Sequence, residues 1–528
     1  MERRRLDEAG EQKASWKSRI LAFVAVALAL LIAGCASLPS LDGRTPTHTL
    51  TDTAATALGR TVTPLVAANP GKTGTHVLAD PHDSFAARVY LAQTAEKTLD
   101  AQYFIWHGDQ VGYLLFEALW QAAERGVRVR LLLDDINTVR IDSTIAALGA
   151  HPNIEVRLYN PLVYRKTIAL NFLTDFSRVN RRMHNKSFTA DNQVSIVGGR
   201  NIANEYFAAG SGLWFTDLDV AALGAVVNDV SKEFDLYWNS LSAYPAASFV
   251  GAPGPEAAAD LKATFSAKRA DPESVDYLAA VRETPLIRDL LNKQVALEWT
   301  TARLVYDDPA KTLDTTGEVQ LLFPELVRAL GRPEKTIDLV SPYFIPGTSS
   351  TAALKAEAAR GVKVRILTNS LAASDESAVH AFYAKHRREL LEAGIQIYER
   401  MPTVSRKERK GKSGYGSRST GALHAKTFAV DRSRIFVGSF NFDQRSKQLN
   451  TEMGLVLDNP AFAERLSKYF DTEVPKLAYE VRLTPDGDLD WIEQTPSGEK
   501  HYDTDPGTSW FLRRKIDILS IFPIEWLL

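Results

Sequence analysis

The hydrophobic pattern of this chain repeats at long range. Glu96-Lys97-Thr98-Leu99-Asp100 recurs as Glu334-Lys335-Thr336-Ile337-Asp338. Each copy leads into an aromatic, strand-like run, Ala101 to Trp106 in the first and Leu339 to Pro346 in the second. Apolar residues then recur at helical spacing, and each predicted helix stops at Arg125-Gly126 or Arg360-Gly361. A glycine just past the last periodic residue is a C-cap signal. Beyond it, Val127-Arg128-Val129-Arg130-Leu131-Leu132 and Val362-Lys363-Val364-Arg365-Ile366-Leu367 predict a second strand in each copy. Strand, helix and strand in that order form a βαβ unit with a right-handed crossover. The pattern therefore predicts two α/β halves in tandem.

The same pattern sets expected boundaries. Residues 1–34 read as a leader and 35–74 as a tether, since 36–72 are rich in Thr, Ala, Pro and Gly with little periodicity. The two halves are expected at 75–244 and 316–483. An Ala-, Pro- and Asp-rich connector, 245–315, joins them and packs on both. Residues 484–528 read as a tail, with turn signals at Pro485-Asp486-Gly487 and Pro506-Gly507. Its apolar end, Ile516 to Leu528, fits a core position better than a segment dipping into lipid, and both readings stay open.

The leader carries its own signal. Basic residues from Arg3 to Arg19 precede an uninterrupted apolar run of 14 residues, Ile20 to Ala33. That is short of the roughly 20 residues that cross a bilayer, and it suits a secretory signal. The run ends Ile32-Ala33-Gly34-Cys35, which resembles the bacterial lipobox. The resemblance implies export, cleavage before Cys35 and lipidation of that cysteine, holding the protein on a bacterial membrane and facing the periplasm. Ala36 weakly favours the outer membrane, and an uncleaved short anchor is the alternative. Cys35 is the only cysteine among 528 residues, which excludes an intramolecular disulfide and a cysteine-based zinc site. A net charge of -2 argues against a strongly basic duplex-DNA binder.

The chemistry lies in a third matched pair. His184-Asn185-Lys186, Asp191 and Gly198-Gly199-Arg200-Asn201 correspond to His424-Ala425-Lys426, Asp431 and Gly438-Ser439-Phe440-Asn441. Both fit HxKx4Dx6G[G/S]xN without a gap, and a six-position pattern met twice leaves little room for chance. On a strand, the histidine and lysine two positions apart share a face. Brought together, two copies supply two imidazoles, two ammonium groups and two amides around one pocket. That set suits a phosphodiester, which needs a nucleophile, an acid and cationic donors.

Here the chain resembles the phospholipase D superfamily, over about residues 80 to 480, and within it the bacterial cardiolipin synthase branch. Gln102-Tyr103-Phe104, Leu131-Leu132-Leu133-Asp134-Asp135 and the closing Phe522-Pro523-Ile524-Glu525-Trp526-Leu527-Leu528 carry that closer match. The resemblance implies two α/β/α sandwiches related by a pseudo-twofold axis, with one active site between them. It assigns His184 as nucleophile and His424 as acid/base, with the reverse assignment open. Lys186, Lys426, Asn201 and Asn441 would stabilise charge on the phosphate, with Gly199 and Ser439 allowing close approach. Asp191 and Asp431 complete the motif, although such a carboxylate more often makes a turn bond or ion pair. Glu452 resembles the family's carboxylate that orients a histidine, and the first-half candidates are Asp217 and Asp219. No metal or cofactor is implied.

Basic residues precede each motif: Arg165, Lys166, Arg178, Arg181 and Arg182, then Arg406, Lys407, Arg409, Lys410, Lys412 and Arg418. Either they draw anionic headgroups or they are solvated loops. The expected activity is phosphatidyl transfer to phosphatidylglycerol from a second phospholipid, at a membrane surface and without nucleic acid; no protein partner is legible. A phospholipase D hydrolase, a periplasmic nuclease of the same superfamily and a non-enzymatic phosphate-binding lipoprotein are the alternatives.

Overall fold

The computed structural model describes residues 38–210, 214–292, 294–313, 319–374, 376–402 and 422–528. The leader, Cys35 and the basic stretch from Arg406 to Arg418 lie outside the described residues. Two mixed sheets organise the rest. The first has nine strands in the order β8 (Ala243–Pro245), β4 (Ile154–Tyr159), β3 (Arg128–Asp134), β2 (Thr98–Tyr103), β5 (Ser187–Ala190), β6 (Val194–Gly198), β7 (Asp219–Gly224), β1 (Thr73–Leu78), β9 (Glu298–Thr300). The second has ten: β10 (Ala302–Tyr306), β16 (Met453–Leu457), β15 (Arg434–Gly438), β14 (Thr427–Val430), β11 (Thr336–Val340), β12 (Lys363–Asn369), β13 (Gln396–Arg400), β17 (Ala478–Leu483), β18 (Leu489–Thr495), β19 (Gly498–Tyr502). Read from β4 to β1 and from β13 to β10, the two orders correspond strand for strand. They form two α/β halves related by a pseudo-twofold.

The sequence repeat now has a physical content. β2 pairs in parallel with β3, and β11 with β12, as expected for βαβ units. Their connecting helices, Gln110–Glu124 and Gly347–Ala359, end at Gly126 and Gly361 with φ of 94° and 89°, where a side chain would be strained. The repeated acid and the repeated arginine meet across the strands. Asp100 takes Arg130 at 2.7 Å and Asp338 takes Arg365 at 2.6 Å, all four buried. The strands start earlier than the aromatic runs suggest, at Thr98 and Thr336, so the repeated Thr-Leu/Ile-Asp lies inside them.

The halves meet sheet to sheet. Val197 of β6, with Val220 and Ala222 of β7, packs against Ile435 and Val437 of β15 and Leu455 of β16 in one buried apolar cluster. These positions alternate along their strands, so the outer face of each sheet carries one helix layer, while the inner face is shared between the other sheet and one helix of its own half, Val230 of Val227–Trp238 and Phe462 and Ala463 of Pro460–Thr472 joining the seam.

Three expected boundaries are corrected. Residues 38–74 are not a free tether. Thr56 caps a helix, Ala57–Ala67, whose Leu58 and Val62 are buried, and Thr73 already belongs to β1. Upstream of that helix, the carbonyls of Thr47 and Thr45 accept from Arg130 and Arg157, at 3.0 and 2.9 Å. Those partners lie more than 80 residues away, beyond the reach of local periodicity. The connector does not end at 315. Its chain passes from the first sheet to the second at Thr301, between β9 and β10, and β10 takes beside β16 the edge that β1 takes beside β7. The helices before it pack on the first half. The tail is not separate either. β18 and β19 extend the second sheet, and a C-terminal helix, Trp510–Ile521, lies against the helix Ser377–Glu392. Among the described residues, no helix is long and apolar enough to cross a membrane.

Leu455→Ala would leave a hole in the seam between the sheets, and we expect it to lower stability by about 2–5 kcal/mol. Denaturant unfolding checks this, and an unchanged midpoint would mean that the seam is not a packed core.

Candidate active site

Both histidines stand just before the inner strands of the sheets, and each is stitched to the opposite half. The His184 amide donates to the Thr451 carbonyl at 2.8 Å, and the His424 amide to the Thr216 carbonyl at 2.8 Å. The rings repeat this exchange. His184 Nδ1–H donates to Glu452 Oε2 at 2.8 Å, and His424 Nδ1–H to Asp217 Oδ2 at 2.5 Å. The carboxylates are thus swapped: the acid that follows one motif orients the histidine of the other. Asp219 does not share this role, because Arg88, Ser84 and the Arg200 amide engage it in the core of the first half. With Nδ1 occupied on both rings, the two Nε2 atoms are left for chemistry.

The lysines complete the cleft. Lys186 Nζ donates to the His184 carbonyl and lies 5.5 Å from the Phe104 ring. Lys426 Nζ lies 2.8 and 3.2 Å from the two ring nitrogens of His424. Burial pulls Lys186 down to about 7, against the opposing pull of the Glu452 charge. A bound phosphodiester would restore its positive charge. Burial, then Lys186, Lys426 and His424, hold His184 well below the usual imidazole value. His424 is lowered too, by burial and Lys426, but the Asp217 carboxylate opposes that shift. Burial would raise Asp217, yet His424, Lys426 and Arg200 together hold it well below the carboxylate range. Burial pushes Glu452 up to about 7. The pair of rings is therefore unequal: His184 stays neutral more readily, and His424 faces the firmer anion.

Further contacts hold these carboxylates. Ser439 Oγ and Ser446 Oγ donate to Glu452, and its amide donates to Asp307 Oδ2 at 3.0 Å. Asp307 in turn pairs with Lys311 at 3.0 Å. In the first half the place of Ser439 is taken by Gly199, and a Cβ there would lie 2.2 Å from Asp217 Oδ1. The glycine makes room for the shorter acid. Aromatic walls come from the first half on both sides: Phe104 lies edge-on to His184, and Tyr206 and Phe215 flank His424 at 5.0 and 5.1 Å. Thr216, Thr451, Asp307, Lys311, Tyr206 and Phe215 carried no motif signal, since each acts through a contact made only on folding.

Several expected roles are corrected. Asp191 and Asp431 lie at the far ends of β5 and β14, seven residues beyond each histidine. Asp191 accepts from the amides of Glu96, Lys97 and Thr98, and Asp431 from those of Glu334, Lys335 and Thr336. They pin the start of β2 and β11, so each motif aspartate and each Glu-Lys-Thr repeat are two ends of one contact. Asn201 is engaged by groups of its own half. Its oxygen accepts from the Ile105 amide and its nitrogen donates to Tyr206 OH. Asn441, by contrast, keeps a buried amide oxygen without a partner. The amides of Gly199 and Ser439 donate to sheet carbonyls and are not phosphate donors. The first basic stretch is largely internal: Arg165 pairs with Asp135 and Asp142, Arg178 with Asp175, Arg182 with Asp134, and Arg181 bonds the Lys311 carbonyl.

Asp217→Asn and Glu452→Gln are expected to lower kcat by on the order of 10^2–10^4-fold, with protein stability measured in parallel. Gly199→Ala should match Asp217→Asn, because it displaces the same carboxylate. The pH profile carries a sign. With His184 as the attacking ring, the role the family resemblance implies, that ring must be neutral, so the acid limb should lie below the ordinary imidazole value of 6.5. Removing the Asp217 charge lowers His424 further, so the alkaline limb of Asp217→Asn moves to lower pH. An acid limb above 6.5 would contradict the assignment of His184 as the nucleophile.

Residues 90–238 and 326–474 each match the family described as cardiolipin synthase, PLD-like domain. Cardiolipin synthase C of Escherichia coli (strain K12) is 43% identical over 471 residues, covering 89% of this chain and 99% of that protein. A cardiolipin synthase of Listeria monocytogenes (serotype 4a, strain HCC23) is 25% identical over 412 residues, 78% of this chain and 70% of that one. The crystal structure of phosphatidylserine synthase from Haemophilus influenzae Rd KW20 shares the fold, with a TM-score of 0.52 at 12% identity over 86% of this chain and 95% of that chain. Each family match contains one complete histidine motif, and together they cover more than half of the sequence: the chain belongs to the phospholipase D-like cardiolipin synthase family.

Proposed function

We propose that this protein is a phosphatidyltransferase that makes cardiolipin, and the observation that carries the reading is the exchange of carboxylates between two histidines facing one cleft. In the first step His184 Nε2 attacks phosphorus of a donor phospholipid, and the bond from phosphorus to the headgroup oxygen breaks. His424, protonated, gives its proton to that oxygen, so the headgroup leaves as an alcohol. The phosphatidyl group now sits on His184. In the second step His424 takes the proton from the terminal glycerol hydroxyl of phosphatidylglycerol. The resulting oxygen attacks phosphorus and frees His184. Lys186 and Lys426 balance the extra negative charge on the non-bridging oxygens in both steps. Glu452 and Asp217 keep each ring in the tautomer that leaves Nε2 free.

The lower pKa of His184 supports its place as nucleophile, and the firm Asp217 anion supports His424 as the proton carrier. The lipobox-like Ile32-Ala33-Gly34-Cys35 supports an exported protein anchored through Cys35. Two acyl chains plus one on the amine would hold it stably on a membrane.

Expression in a bacterial strain without cardiolipin synthases should restore cardiolipin on thin-layer chromatography, and His184→Ala should abolish it. Phosphatidic acid in its place would establish hydrolysis, and plasmid degradation with intact lipids a nuclease. With a labelled donor, His424→Ala should accumulate label on His184; label on another residue would overturn the assignment. Cells fed labelled palmitate should mark the protein, and Cys35→Ser should remove the mark. Label retained in Cys35→Ser would refute the anchor.

A further inference from the structure

The C-terminal helix leaves one face bare. Its inner side packs through Leu512, Ile516 and Leu519 beside Ile345, Val379 and Phe382. On the outside, Trp510, Phe511, Ile518, Ile521, Phe522 and Trp526 are exposed, Phe511 at 78% and Ile521 at 80%. Single exposed apolar residues are ordinary, but six within 17 positions form a patch. A second patch lies on the first half, on the short helices Ile168–Thr174 and Phe176–Val179, where Ile168, Leu173 and Phe176 are exposed, Leu173 at 81%.

One arginine joins the two elements. Arg445 donates through Nε to the Leu527 carbonyl at 2.9 Å and through its backbone amide to Leu528 at 2.8 Å. Its Nη1 donates to the carbonyl of Asn180, the residue that ends the second short helix, at 2.9 Å. Asn180 lies four residues before His184. Both elements thus adjoin the segment that leads into the cleft, one from each half. Their charges complement an anionic surface. Lys166 and Lys515 are exposed and have no carboxylate partner among the described residues. The acids nearby, Asp175, Asp517 and Glu525, are paired with Arg178, Arg514 and His386. Exposed Trp, Phe and Ile beside unpaired lysines is the chemistry of a surface that sits among lipid headgroups.

We propose that these two patches form one docking face that seats the cleft on an anionic phospholipid bilayer. The inference rests on the phosphatidyl-transfer reading, because a two-chain lipid stays in its bilayer and has to be met there.

The lone cysteine makes a direct test practicable. In the full chain carrying Cys35→Ser, a nitroxide is attached at Ile521→Cys, at Leu173→Cys, or at Val275→Cys, an exposed control in the helix Pro272–Arg282. With vesicles of phosphatidylglycerol and phosphatidylethanolamine, the first two labels should lose contact with a water-soluble relaxant and gain contact with oxygen, while the control stays in water. Equal behaviour of the Ile521 and Val275 labels would overturn the proposal. Protection of Ile521 before vesicles are added would also overturn it, since a second copy would then cover the face. Phe511→Glu with Ile521→Glu should cut cardiolipin formation on vesicles by about tenfold or more and leave cleavage of water-soluble bis(p-nitrophenyl) phosphate unchanged. If the labels insert but the unaltered chain makes no cardiolipin, the docking face stands and the transfer reading falls. If cardiolipin forms and both labels stay in water, only the docking face falls.

Discussion

The apolar seam between the two sheets is the constraint from which the rest of the molecule follows. Val197 and Val220 against Ile435, Val437 and Leu455 press the inner strands of the two halves together. That contact sets the histidine of each half within reach of the carboxylate of the other. Neither half holds a complete site. His184 without Glu452, or His424 without Asp217, would be a buried ring with no partner to fix its proton. Packing and chemistry are therefore one problem here: what moves the seam also misplaces both rings.

The duplication is exact where it builds the scaffold and broken where it builds the site. Asp100–Arg130 and Asp338–Arg365 are the same buried pair twice, and Asp191 and Asp431 pin their strands in the same way. Around the phosphate position the halves differ. One uses a glycine beside a short acid, Gly199 with Asp217; the other uses a serine that hydrogen-bonds a longer one, Ser439 with Glu452. Aromatic walls on both sides come from the first half. These inequalities give the two rings different tendencies to hold a proton, which is what a nucleophile and a proton carrier require.

The peripheral segments belong to this design. The crossing strand pair β9 and β10 leaves Asp307 and Lys311 beneath Glu452, so the connector supports the first histidine from behind. The C-terminal residues end on Arg445, in the short helix Gln444–Gln448 between the second motif and Glu452. Segments that look like tether, connector and tail in a linear reading are parts of the two sheets and of the support for the site.

Pattern and spacing alone determined the tandem α/β halves and the two histidine–lysine pairs; the family resemblance added Glu452 and left the first-half acid open between Asp217 and Asp219. Repeats of strand, helix and motif are local, and local periodicity records them. Folding decided which acid serves which histidine, because partners more than 200 residues apart leave no mark on spacing. It likewise engaged Asn201, Gly199 and Ser439, expected beside the phosphate, with groups of the protein itself, and decided between the two expected uses of Asp191 and Asp431 in favour of bonds that pin the strands. A motif shows which side chains are present; only the closed seam between the sheets fixes which groups they face, since that depends on distances across the fold.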